Sequence, residues 1–120
     1  MTPIEIRFDI PRNEWWTQNR RGSWQVKYAH TRAVKQRARL QALAFKHARP
    51  DSVPSRFPVH VTATVHPLTS GRFDPENAAP MVKAILDALT DAGWWPDDDG
   101  KHLIGPDYRA GERSQHKGWY

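Results

Sequence analysis

Two neighbouring stretches decide the fold: VHVTATV at residues 59–65 and APMVKAILDALTDAG at residues 79–93. In the first, apolar residues alternate with histidine and threonine, which is typical of a half-buried strand. In the second, apolar side chains recur at helical spacing and predict one buried face, made of Met81, Val82, Ile85, Leu86 and Leu89. Pro80 suits the first turn of a helix and Gly93 its end. We therefore expect a strand followed by a helix over residues 79–92.

Further elements extend outward from this pair. Alternation over residues 4–10 predicts a strand that Pro11 ends, and residues 24–28 read as a short second strand. Residues 31–49 predict a helix, with Thr31 as its N-cap and Pro50 after its end. A last strand is expected over residues 102–109. The order predicts a single α+β domain over residues 1–120, with a small mixed β-sheet packed with two helices.

The helix predicted over residues 31–49 has two chemically distinct faces. Its apolar side chains fall in one broad arc, namely Ala33, Val34, Ala38, Leu40, Ala42, Ala44, Phe45 and Ala48. Its cations gather on one edge of the opposite side, namely Arg32, Lys35, Arg39 and Lys46. Such a stripe is either a solvated face or a set of phosphate contacts, and spacing does not choose between them.

Charge and composition restrict the class of partner. Lys and Arg outnumber Asp and Glu by 18 to 13, a net charge of +5. A small basic domain indicates a polyanionic partner, nucleic acid before an anionic membrane, although a merely soluble basic protein fits the charge equally well. No window approaches the roughly 18 apolar residues of a membrane span. A chain this short is also expected to oligomerise, because its core is modest.

Two further features bear on the compartment. The chain contains no cysteine, which excludes disulfides and thiolate metal sites and fits a reducing, cytoplasmic setting. Residues 1–5 lack the basic start and apolar stretch of a secretory leader. We therefore expect a cytoplasmic protein of a bacterial or phage-infected cell.

The acidic residues lie in two groups on either side of the second helix. Asp74 and Glu76 precede it, and the run 97–99 follows it. If the following loop folds back, these carboxylates offer the hard oxygen ligands that Mg²⁺ prefers, and Lys83 between them suits stabilisation of a phosphate under attack. A turn and a solvated loop explain the same residues, and spacing alone favours neither reading.

The segments RFDPEN at 72–77, KAILDAL at 83–89 and DAGWWPDD at 91–98 form a recognisable series. Together they resemble the signature of the RusA family of Holliday-junction resolvases. That signature has an Arg-rich turn, an acidic pair followed by Asn, a Lys-bearing helix, and Ala-Gly followed by a pair of Asp. The early Pro-Arg-Asn loop and the basic first helix occupy the family's places more loosely. The resemblance implies a RusA-like fold and a homodimer that cuts four-way DNA junctions with Mg²⁺, or with Mn²⁺ in its place.

The resemblance also implies roles for individual residues. Asp74, Glu76 and Asp98 match the metal-binding acids, and Lys83 matches the catalytic lysine. Asn77 and Asp87 match supporting positions. The residues expected to hold DNA phosphates are Arg20, Arg21, Arg32, Lys35, Arg39 and Arg72. The function so implied is a Mg²⁺-dependent, structure-specific endodeoxyribonuclease that serves repair, recombination or phage DNA processing.

The sequence departs from the family pattern in three places. Glu76 stands where a second Asp is expected, five residues separate Asn77 from Lys83, and relatives usually continue beyond residues 118–120 into a last strand. These departures keep a second hypothesis open, a branched-DNA-binding protein that does not cleave. A third hypothesis is a nuclease that uses Asp99 and Lys101 as a D-x-K motif, although no strand is predicted before it.

The aromatic residues and histidines admit packing and binding interpretations. Trp94 and Trp95 beside a helix end are expected to pack in the core. Trp15 and Trp16, in a loop with Arg20 and Arg21, are better candidates for stacking on DNA bases, with core packing favoured for at least one of them. The histidines show no metal-binding i,i+4 pair and are expected at the surface, His60 and His66 on the polar side of their strand.

Overall fold

The computed structural model describes residues 3–120 and contains a mixture of helix and strand, with two helices and two strands in this range. In chain order they are α1 (Trp24–Ala48), β1 (Val59–Val65), α2 (Ala79–Asp91) and β2 (Leu103–Ala110). Short 3-10 turns occupy Arg12–Glu14, Pro50–Ser52 and Pro75–Ala78. Met1 and Thr2, part of the segment predicted to lack a leader, lie outside the described residues.

β1 and β2 form a two-stranded parallel sheet in which Val59 pairs with Leu103 and Val65 with Ala110. β1 has the predicted bounds, and β2 begins and ends one residue later than expected. The expected mixed sheet is wrong for the described residues, because α2 connects the two strands as a crossover and so makes them parallel.

The strand predicted over residues 4–10 does not form. Only its end is paired: Ile10 accepts a backbone hydrogen bond from Tyr120 at 2.8 Å and donates one back at 3.1 Å. Ile6 and Phe8 still pack against the core, and Ile10 is buried. The alternation therefore identifies Ile6, Phe8 and Ile10 as inward side chains, whereas Ile4 is 51% exposed, and no hydrogen-bonding partner lies along the rest of the segment.

α1 begins seven residues earlier than predicted, at Trp24. Ser23 is its N-cap, and the Ser23 hydroxyl accepts a hydrogen bond from the Val26 amide at 3.3 Å. The strand predicted over residues 24–28 is therefore wrong, and Thr31 lies inside the helix, where its hydroxyl bonds to the Lys27 carbonyl at 3.1 Å. The predicted end before Pro50 is confirmed.

The helices pack on each other through narrow stripes of small residues. Val34, Ala38 and Ala42 of α1 are buried at spacings of four. The predicted apolar arc was too broad, because Leu40 is 68% exposed and Ala44 and Ala48 also face solvent. The predicted face of α2 is confirmed, with three of its residues buried and two half-buried, and Ala84 and Ala88 extend it.

The end of α2 is fixed by glycine and by two tryptophans. Gly93 has φ +82°, a conformation that favours glycine, and the next amide bonds back to the Leu89 carbonyl at 3.0 Å. The Trp94 indole donates to the Ala42 carbonyl at 3.2 Å, and the Trp95 indole donates to the Thr90 hydroxyl at 2.7 Å. Both rings are buried, which confirms the predicted packing role.

The pairing of Ile10 with Tyr120 is reinforced by an aromatic stack. The rings of Trp15 and Tyr120 lie 3.8 Å apart between centroids and are inclined by only 10°. We expect Tyr120→Leu to lower the free energy of unfolding by about 1 kcal/mol, because aromatic pairs contribute roughly 0.5–1.5 kcal/mol beyond their area. Urea denaturation followed by circular dichroism measures the change. Tyr28→Leu, at a tyrosine that is 58% exposed, is the matched control; an equal loss in both variants would contradict the role of the stack.

Candidate functional site

The first acidic pair lies on the turn Pro75–Ala78 that leads into α2. The Asp74 carboxylate accepts a hydrogen bond from the Glu76 amide at 3.0 Å and so caps this turn. The Asn77 side-chain oxygen accepts from the Asn19 amide at 3.0 Å and from the Gln18 amide at 3.4 Å. Asp74 and Glu76 are exposed, so a ligand from solvent can reach both carboxylates.

Lys83 lies on α2, and its side chain is 76% exposed. Its ammonium is 4.0 Å from a carboxylate oxygen of Asp87, one helical turn further on. An exposed pair at this distance contributes little, so it does not hold Lys83 away from other anions. The predicted catalytic lysine is therefore available at the surface, on the helix that the acidic turn begins.

The second acidic group lies at the other end of α2. The Asp99 carbonyl accepts the Leu103 amide at 2.9 Å, which places the loop holding Asp98 at the start of β2, beside the start of β1. Asp74 instead follows the end of β1. Because α2 has 13 residues, its axis spans about 20 Å between the two groups.

The two acidic groups are accordingly not brought together. Across residues 3–120, no group of three or more His, Asp or Glu side chains is placed to hold a metal ion. Asp74 and Glu76 share a turn, whereas Asp98 lies apart from them. The acidic residues that carry the resemblance therefore lie at opposite ends of α2.

The pKa of Tyr108, on β2, is affected by Glu76 of the first acidic pair. Burial raises the pKa of Tyr108 above its usual range, and the negative charge of Glu76 raises it further. Glu76 therefore lies close enough to the sheet to act on this phenol, although its own side chain is exposed.

We expect Glu76→Gln to lower the pKa of Tyr108, because the charge that disfavours tyrosinate is removed while burial persists. The ionisation is measured by the ultraviolet absorbance of tyrosinate, with Tyr108→Phe used to assign the signal. Glu112→Gln, at an exposed glutamate, is the control. An unchanged Tyr108 titration in Glu76→Gln would contradict the placement of this carboxylate.

The predicted phosphate-binding cations differ in their surroundings. Five of them are exposed and have no carboxylate partner within residues 3–120, namely Arg20, Arg21, Arg32, Arg39 and Arg72. Lys35 is paired with Asp91 at 3.0 Å, and Arg20 donates to the Trp15 carbonyl at 3.2 Å. Lys46, a member of the predicted basic stripe, instead donates to the Ala92 carbonyl at 3.2 Å and holds the end of α2.

The loop tryptophans Trp15 and Trp16 both contribute to packing. Trp16 is buried, which confirms the expected packing of at least one of them, and Trp15 stacks on Tyr120. Trp24 is 72% exposed, and Tyr28 one turn later is 58% exposed. The sequence pattern favours a strand over residues 24–28 and so does not predict this exposed pair, although its i,i+4 spacing after Ser23 is typical of a helix.

Two of the histidines, His60 and His102, lie within hydrogen-bonding distance of carboxylates. As predicted, His60 lies on the exposed side of β1, where its ring nitrogen is 2.6 Å from a carboxylate oxygen of Asp107 on β2. A hydrogen bond from His102 lowers the pKa of Asp99, and the two atoms are 2.6 Å apart. Asp99 is therefore engaged, and the elements directly before the Asp99–Lys101 motif are α2 and a loop, not a strand.

The fold and the site together define a small basic domain in which two helices pack with a parallel strand pair and an exposed acidic turn opens the second helix. None of the helices described in residues 3–120 is both long enough and apolar enough to traverse a membrane. No protein-family model matches the chain, and searches of curated proteins and of solved structures return no significant match.

Proposed function

We propose that this protein is a Mg²⁺-dependent endonuclease that cuts four-way and other branched DNA junctions as a homodimer, as the resemblance to RusA resolvases implies. The observation that carries the proposal is the placement of Asp74 and Glu76 in one exposed turn at the start of α2, which also presents Lys83. These are the residue types that phosphodiester hydrolysis requires.

The donor set suits magnesium without a third protein ligand. Mg²⁺ is commonly held by one or two carboxylates, with water and substrate phosphate oxygens completing its octahedron. Asp74 and Glu76 would supply those carboxylates, and the bound ion would activate water and neutralise charge on the attacked phosphate. Mn²⁺ accepts the same oxygen ligands. Lys83 would stabilise the charge that develops on the phosphate.

Asp98 is the third carboxylate that the resemblance implies. Since its loop lies beyond the opposite end of α2, Asp98 would reach the ion only after movement of this loop or from the second copy in a homodimer. The two-carboxylate arrangement is therefore the simpler form of the proposal. Asn77 would support the acidic turn through its bonds to residues 18 and 19, and Asp87 would lie beside Lys83 without fixing its position.

DNA binding in this proposal comes from cations that contact phosphates. The exposed arginines suit such contacts, and Lys35 would join them at the expense of its pairing with Asp91. The set is Arg20, Arg21, Arg32, Lys35, Arg39 and Arg72. Phosphate contacts position DNA without reading its sequence, so selectivity for a branch would come from the shape of the dimer.

A second candidate is a branched-DNA-binding protein of the same fold that does not cleave. The separation of Asp98 from Asp74 and Glu76 favours it, because the implied three-carboxylate set is not assembled in this structure. This candidate needs only the basic surface. Its DNA binding would weaken steeply with added salt and would survive Asp74→Asn.

The experiment compares a synthetic four-way junction with a linear duplex of the same sequence. Each is incubated with the purified protein in Mg²⁺, in Mn²⁺ and in a chelator, and both cleavage and binding are measured. We expect metal-dependent cuts near the branch and none in the duplex. Salt-sensitive junction binding with no cleavage in either metal would select the second candidate. Equal affinity for junction and duplex, without cleavage, would overturn both.

A further inference from the structure

An open cleft of about 610 Å³ lies between the loop at residues 11–20 and the first turns of α1. Its polar lining comes from Arg12, Asn13, Arg20 and His30, and Pro11 and Gly118 complete its walls. The volume falls within the range of small-molecule sites, roughly 300–1,000 Å³. The cleft is distinct from the acidic turn, and of its lining residues only Arg20 belongs to the set of cations expected to hold DNA phosphates.

Two of the lining side chains are held in place by a buried tryptophan. The Arg20 guanidinium lies 4.4 Å from the centre of the Trp16 ring and donates to the Trp15 carbonyl at 3.2 Å. The His30 ring is 5.1 Å from Trp16, and its Nδ1 donates to the Glu14 carbonyl at 2.9 Å. Since Trp16 is only 2% exposed, these contacts fix both groups before any ligand arrives.

The cleft is lined by two arginines and by no acidic residue. No carboxylate lines it, and the one glutamate nearby in sequence, Glu14, has both oxygens occupied by Arg37 at 2.8 and 2.9 Å. Arg12 has no carboxylate partner within residues 3–120. Two guanidinium groups and an amide therefore face one opening with no acid to neutralise them, which suits a phosphate group.

We propose that this cleft binds the phosphate group of a nucleotide, with room for the attached nucleoside. The choice of a nucleotide over another anion rests on the proposed action on DNA, whereas the preference for phosphate rests on the cleft alone. The same chemistry is offered by a terminal phosphate of a strand and by an internal phosphodiester. Arg12 and Arg20 bind the phosphate oxygens, and Asn13 and His30 border the nucleoside.

The first test uses the full chain in a chelator, so that no cleavage interferes. Deoxyadenosine monophosphate and deoxyadenosine are titrated separately, and amide shifts are followed by nuclear magnetic resonance. We expect the nucleotide to shift the amides of Arg12, Asn13, Arg20 and His30, and the nucleoside to leave them unchanged. Equal shifts with both compounds, or no shift with either, would overturn the proposal.

Paired variants then separate the cleft from general charge. Arg12→Gln with Arg20→Gln should weaken nucleotide binding at least about tenfold, because hydrogen bonds between charged groups are among the stronger ones. Arg56→Gln with Arg109→Gln removes the same charge at exposed residues outside the cleft and should change binding less than about twofold. Equal weakening in the two pairs would overturn the proposal.

Competition with short oligonucleotides identifies the source of the phosphate. If only a 5′-phosphorylated strand displaces the nucleotide, the cleft takes a strand end. If a 5′-hydroxyl strand displaces it equally well, the cleft takes an internal phosphodiester. Displacement by neither strand would contradict a role in DNA binding. The titration, the paired variants and the competition are all measured without metal. Their results therefore do not depend on whether the protein cuts junctions.

Discussion

Junction cleavage by the Asp74→Asn variant is expected to be at least about a hundredfold slower than by the unaltered protein. The asparagine retains an oxygen that accepts the Glu76 amide, so the turn before α2 keeps its cap. It loses the negative charge that would hold the metal ion. Since each 1.36 kcal/mol of transition-state stabilisation is a factor of about ten, a hundredfold loss corresponds to roughly 2.7 kcal/mol.

The matched control is Asp51→Asn, the same change at an exposed aspartate in the turn Pro50–Ser52. It should cut junctions at the rate of the unaltered protein. Lys83→Ala should also lose cleavage while binding the junction, and Asp98→Asn should lose less than Asp74→Asn, because Asp98 lies at the other end of α2. Cleavage at full rate by both Asp74→Asn and Lys83→Ala would remove the acidic turn from the mechanism.

The largest effect on stability is expected from Trp94→Ala, at about 3–5 kcal/mol. Trp94 is 3% exposed and lies in the cluster that joins α1, the end of α2 and the first residue of β2. Its ring lies 5.7 Å from that of Phe45, and its indole nitrogen bonds to a carbonyl of α1. Removal of the ring leaves a cavity among elements that are also joined elsewhere, so they cannot simply collapse to fill it.

The chain offers the same substitution at an exposed position. Trp24→Ala removes an indole that is 72% exposed and should change the free energy of unfolding by no more than about 0.5 kcal/mol. Both variants are measured by urea denaturation followed by circular dichroism. Similar midpoints for the two variants would contradict the burial of Trp94 in this core.

The elements with a clear hydrophobic periodicity of their own could be predicted from the sequence. β1 alternates over its whole length, and α2 has an apolar stripe bounded by Pro80 and Gly93, so local chemistry determines both. Residues 4–10 alternate as clearly, yet form no strand, because a strand also needs a neighbour and the nearest backbone pairs only with Ile10. The sequence does not predict the start of α1, because Trp and Tyr, present at positions 24 and 28, are residue types enriched in strands. In the structure the Ser23 cap outweighs that preference.

The candidate site, like the fold, could be predicted from the sequence only in part. The exposure of Asp74, Glu76 and Lys83 follows from their position around the start of α2, which spacing along the chain identifies. The position of Asp98 depends on which way the chain runs after α2, and that direction is set by the parallel pairing of two distant strands. The cleft around Arg12 and Arg20 was not foreseen, because it exists only where residues 116–120 return beside residue 11.

The parallel pairing also has a kinetic consequence. Val59 and Leu103 lie more than forty positions apart, and every rung of the ladder between β1 and β2 spans a similar length of chain. The entropy of closing such loops must be lost before any of these hydrogen bonds forms, so pairing of this kind slows folding. The sheet should therefore assemble late, after the two helices have docked through their alanine-rich stripes. Until then both edges of β1 are unpaired and can bind neighbouring chains, and refolding at high protein concentration should favour aggregation.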